Sequence, residues 1–89
     1  MNNFQMLAND NIGFTRQIVV IDNVTGDTIV VANLHATLTA NGLQASSNYH
    51  IEIIRDDIVR SNYEEVESQV QMFKDEVKRK AESLGLLYL

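Results

Sequence analysis

The sequence contains no cysteine, no proline and no tryptophan. Without cysteine there is neither a disulfide framework nor a thiolate metal site. Basic residues are scarce: seven Lys and Arg stand against twelve Asp and Glu, a net charge of -5. That balance disfavours non-specific attraction to nucleic acid or to an anionic membrane. No run of about 18 apolar residues occurs, so no transmembrane helix is expected. The opening stretch, MNNFQMLAND, lacks the basic start and apolar core of a signal peptide, and the expected location is the cytoplasm. No nucleophile elbow, phosphate loop, dinucleotide fingerprint, zinc-ligand spacing or metalloprotease helix is present. The expectation is therefore a non-enzymatic protein with no cofactor, no metal and no small-molecule ligand.

What is present is a foldable pattern. An apolar content of 45% excludes a disordered chain, and 89 residues suit one domain spanning 1–89. Residues 1–13 are rich in asparagine around Phe4, Met6 and Leu7 and read as a flexible arm. The organising stretch is Thr28 to Ala40, TIVVANLHATLTA. Read with period two, Val30, Ala32, Leu34, Ala36, Leu38 and Ala40 form one wholly apolar row. The other row, Ile29, Val31, Asn33, His35, Thr37 and Thr39, is apolar only at its start. Such alternation, rich in β-branched residues, marks a central strand.

Residues 14–22, FTRQIVVID, supply a strand before it, joined through Asn23-Val24-Thr25-Gly26. A type I turn closed by a glycine bulge would pair Asn23 with Asp27, Ile21 with Ile29, Val19 with Val31 and Ile18 with Ala32. On the far side, Asn41-Gly42 reads as a two-residue hairpin loop. It would pair Ala40 with Leu43, Leu38 with Ala45, Leu34 with Tyr49 and Ala32 with Ile51. His35 would then face Asn48, and His50 would face Asn33. Ser46-Ser47-Asn48 is poor strand sequence, where a bulge could shift the outer pairing.

The helix is expected to start at Ser61, whose capping box is completed by Glu64. Tyr63, Val66, Val70, Phe73, Val77, Ala81 and Leu84 recur at spacings of three and four, one apolar stripe. Gly85 stands where a left-handed C-cap belongs. The predicted fold is α+β: a three-stranded antiparallel β-meander with one long C-terminal helix packed on one face, βββα.

Few residues suggest chemistry. His35, His50 and Glu52 share the face turned away from the helix and could ligate zinc or exchange protons. The simpler reading, and the one preferred here, is a solvated sheet face that carries two histidines, since three groups without a pocket or supporting contacts make a weak signal. Lys74, Lys78, Arg79 and Lys80 form a basic cluster that could meet nucleic acid. It also matches the helix dipole, opposite Glu64, Glu65 and Glu67 at the helix start. Asp75–Arg79 and Glu76–Lys80 are spaced as i,i+4 pairs.

The predicted registers gather Val19, Ile21, Ile29, Val31 and Ile54 on the outer face, where an open antiparallel sheet is normally polar. Five aliphatics in one patch call for a cover: the arm, a second copy or another protein. The tail Leu86-Leu87-Tyr88-Leu89 is a further apolar surplus without an evident place in a monomer. The expected function is a protein-binding or assembly module, a homodimer through Val19, Ile21, Ile29, Val31 and Ile54. A chain this small would also suit a bacterial or phage accessory protein. In outline, βββα resembles double-stranded-RNA-binding domains, but Ser61-Asn62-Tyr63-Glu64-Glu65 stands where those carry lysines. It also resembles sheets that read the DNA major groove, but Thr15, Gln17, Asn33, His35 and Glu52 occupy the face that would need arginine and lysine. Neither family's functional residues are present.

Overall fold

The alternation at the centre of the sequence becomes the longest strand of a four-stranded mixed sheet. The computed structural model describes residues 11–88. Strand β1 spans Asn11–Ile21, β2 Thr28–Asn41 and β3 Gln44–Ile53; helix α1 spans Asp56–Ser61, α2 Tyr63–Ser83, and a short β4 covers Leu87–Tyr88. The sheet order is β1-β2-β3-β4, with β3 and β4 parallel and the other pairs antiparallel. The architecture is α+β, with one strand more than the meander predicted from sequence. The expected arm at 1–13 lies outside the described residues except for Asn11, Ile12 and Gly13, which open β1.

One face of the sheet builds the core. Ala32, Leu34, Ala36, Leu38 and Ala40 are all buried on β2, as their common parity requires. From α2 they meet Val66, Phe73, Val77 and Ala81, the buried part of its stripe. Alternating alanine and leucine along β2 leaves room for the bulk of Phe73. The helix packs mainly on β1, with smaller contacts to β4 and β2, and leaves the far half of β3 outside its cover. The molecule is long and thin, 56 × 19 × 17 Å, with a radius of gyration of 16.0 Å. A compact domain of this length would have about 12 Å.

The first hairpin departs from the predicted register near its turn. Ile18 does pair with Ala32, but Val19 pairs with Val30, Val20 with Ile29 and Ile21 with Thr28. The cause is at the loop. Asp22 Oδ1 accepts the N–H groups of Val24 (2.8 Å) and Thr25 (3.3 Å), and Gly26 donates to the Asp22 carbonyl. The loop therefore closes at Asp22 and Asp27, one residue earlier than expected, and β2 absorbs the difference as a bulge at Val31. Val31 and Ala32 are both fully buried. The Val31 carbonyl accepts from the N–H groups of Ile54 (2.9 Å) and Arg55 (3.1 Å), which ends β3 and turns the chain toward α1.

The second hairpin loop is Gly42-Leu43, not Asn41-Gly42. Asn41 pairs with Gln44, Ala40 with Ala45, and the whole register slides by two. Gly42, at φ 65°, takes the first central position, where the hairpin turns need a positive φ. An even slide preserves face parity but changes every partner: His35 stands opposite His50 rather than Asn48, and Asn33 opposite Glu52.

The helix also begins earlier than Ser61. Asp56 and Asp57 open α1 at the end where the dipole favours carboxylates, and half-buried Ile58 and Val59 pack against the core. Ser61 therefore ends α1, its hydroxyl donating to the Ile58 carbonyl at 3.1 Å, and makes no capping box. Asn62 interrupts the two helices. At the other end the cap forms as predicted. Gly85, at φ 77°, donates to the Glu82 carbonyl and Leu86 to the Ala81 carbonyl, the paired bonds of a Schellman motif. That turn buries Leu86 and lays Leu87–Tyr88 beside Gln44–Ala45, so most of the tail has a place within the monomer.

Candidate interaction surface

The five-residue outer patch predicted from sequence is not assembled. The bulge at Val31 reverses the parity of β2 before it, so Val31 is fully buried and Ile29 packs against the core. Val19 is half-buried, and Ile21 and Ile54 are exposed.

The histidines are closer than expected. His35 and His50 face each other across β2 and β3 with ring centroids 6.2 Å apart and planes 29° apart, a stacked pair. Glu52 lies on the same face, but its Oε1 accepts from Asn33 Nδ2 at 3.2 Å. Among the described residues no three His, Asp or Glu side chains converge as a metal site would require. An open depression of about 650 Å³ lies beside His35 over Thr15, Gln17, Val19 and Asn33.

The basic cluster is divided. Lys74 Nζ sits 5.5 Å from the centre of the Tyr49 ring, a cation–π contact. Glu76 pairs with Arg16 on β1 rather than with Lys80, and Asp75 accepts from Gln71 rather than meeting Arg79. No helix is long and apolar enough to cross a membrane among the described residues.

The uncovered apolar surface lies instead on the helix side of β3, which sequence reasoning had assigned to the core. Tyr49 is 38% exposed, Ile51 40% and Ile53 49%. A single helix about 10 Å wide cannot cover three strands spaced about 4.8 Å apart once it leans toward β1. The lean depends on contacts between helix and sheet, which the residue pattern does not announce. Between these residues and α2 runs a cleft of about 220 Å³ over Leu34, walled by Tyr49, Ile51, Val70, Phe73 and Lys74. Tyr49 stacks edge-on against Phe73 at 6.3 Å and its hydroxyl lies 2.6 Å from that of Tyr88. Partial burial and the Tyr88 hydrogen bond push the Tyr49 phenol up to about 12.

The same stretch is a strand edge. In an antiparallel ladder, backbone groups point alternately toward and away from the partner strand. Leu43, an odd-numbered residue, offers its carbonyl outward to the Leu87 N–H at 2.7 Å. By that alternation Ser47, Tyr49, Ile51 and Ile53 also direct N–H and C=O outward. Strand β4 covers only Gln44 and Ala45, so among the described residues Ser46 to Ile53 has no strand beside it. The edge of β1 is better guarded. Gln69 bonds to both backbone groups of Val19, and Thr15, Arg16 and Gln17 are exposed polar residues beside it. No protein-family model, curated protein or solved structure matches this chain.

Proposed function

We propose that the protein is a non-enzymatic assembly module that binds a second copy of itself, with the outer edge of β3 and its adjoining cleft as the contact surface. The observation that carries this reading is the coincidence of two unmet needs in one stretch. Tyr49, Ile51 and Ile53 turn backbone donors and acceptors outward and also expose large apolar side chains. An added strand meets both needs, with main-chain hydrogen bonds and burial of alternate side chains. The elongated shape supports the same reading, since a thin domain buries little of its own surface.

The test is sedimentation velocity of the wild type and of Ile51→Pro over a wide concentration range. The Ile51 N–H points away from β2, so proline there removes an edge donor and leaves the β2–β3 ladder intact. Concentration-dependent association that disappears in Ile51→Pro, with circular dichroism unchanged, is expected. A wild type that stays monomeric, or association untouched by proline, would contradict the reading.

A further inference from the structure

The edge of β3, which has no strand beside it from Ser46 to Ile53 among the described residues, is self-complementary in one register. Two identical strands paired antiparallel about a twofold axis must place like-oriented backbone groups opposite each other. For the exposed stretch the centres to compare are Asn48, Tyr49, His50, Ile51 and Glu52, and centring on Asn48 leaves both Ile51 and Ile53 outside the overlap. Centring on Glu52 sets two carboxylates face to face, which is destabilising. Centring on His50 opposes two imidazoles and sets Ser47 against Ile53. Centring on Tyr49 sets Ser47 against Ile51 and leaves Ile53 beyond the apolar overlap.

Centring on Ile51 satisfies every position. Ile51 meets Ile51 of the second copy, and Tyr49 meets Ile53 of the second copy in both directions, all on the cleft side. On the opposite face His50 meets Glu52 of the second copy, twice by symmetry. This pair falls at the ladder positions where side chains approach most closely. Glu52 is equipped for it: Asn33 holds Oε1, leaving the second carboxylate oxygen to accept an imidazole N–H.

We infer that the protein forms an isologous dimer in which β3 pairs antiparallel with β3 of the second copy about a twofold axis at Ile51, making one continuous sheet across both chains. This rests on the assembly reading above and adds its geometry. An interface of five paired residues is well below the standard size of a specific contact, so the dimer is weak and dissociates on dilution.

The absence of native cysteine makes the register directly readable. Residues on the axis lie about 5.5 Å apart between Cα atoms, within disulfide reach. In this register His50 of each copy lies a diagonal step, about 8 Å, from the other, beyond that reach. Under mild oxidation Ile51→Cys is expected to give a covalent dimer with unchanged secondary structure, and His50→Cys is expected to remain largely uncrosslinked. Glu52→Lys should weaken association at least tenfold, and adding His50→Glu should restore it. If the wild type associates but crosslinks at position 50 and not at 51, or if Glu52→Lys changes nothing, this register is wrong while the assembly reading stands. If the wild type does not associate at all, both fall.

Discussion

The side-chain amide of Gln69 takes the place of a neighbouring strand at Val19. Its Nε2 donates to the Val19 carbonyl at 2.8 Å and its Oε1 accepts the Val19 N–H at 3.2 Å. A primary amide carries the same donor and acceptor as a peptide group, so it closes one step of an open edge. The residues lie 50 apart in sequence, and the bond pins α2 to β1 where the bulge across the sheet disturbs the ladder. Gln69→Ala removes both partners from partly buried backbone groups. It should lower stability by ~1–2 kcal/mol, or roughly 4–8 °C of melting temperature per kcal/mol in a domain of this size. Gln69→Glu keeps the shape but sets a carboxylate against the Val19 carbonyl, and should rescue little. Thermal melts of the two variants check this.

The bulge makes a sharp prediction about adjacent residues. Val31 is fully buried, whereas Val30 pairs with Val19 on the side of the sheet away from the helix. Val31→Glu buries a carboxylate with no partner and should abolish folding. Val30→Glu should leave a cooperative, folded protein. The far-ultraviolet spectrum and melting curve of each variant decide it. A folded Val31→Glu protein would mean the extra residue of β2 is somewhere else.

Tyr49 gives the fold a limit at high pH. Its phenol ionises near 10 in an unfolded chain and is pushed up to about 12 here by partial burial and by Tyr88. The folded state holds the proton more tightly, so this contribution is complete below pH 10. It is lost as pH rises from about 10 to about 12. Tyr88→Phe should move the Tyr49 titration down, read by phenolate absorbance. Tyr49→Phe should flatten the fall of stability across that window.

Much of this architecture could be read from the residues, and the failures have physical causes. The parity of Ala32 to Ala40, the stripe from Val66 to Ala81 and the cap at Gly85 were legible because each is a strict period or a residue with one conformational use. The bulge was not, because Ile29 to Ala32 is apolar on both parities and the hydrophobic pattern does not fix the register there. Asp22 decided it by capturing two backbone N–H groups and closing the loop one residue early. The displaced candidate surface follows from the same event: Ile29 and Val31 moved inward. Ile51 and Ile53 came to the surface because α2 leans toward β1, pinned there by Gln69 and by the Arg16–Glu76 pair. Those contacts cross between helix and sheet, and no local pattern announces them.

The most direct test of the account is amide hydrogen exchange at Tyr49, Ile51 and Ile53, measured residue by residue as protein concentration is raised. These N–H groups point off the edge of β3, and no strand of the same chain covers them among the described residues. The account predicts fast exchange in dilute protein and strong protection in concentrated protein, with the neighbouring His50 and Glu52 amides, already bonded to β2, far less affected. Exchange at Tyr49, Ile51 and Ile53 that is fast at every concentration would contradict it.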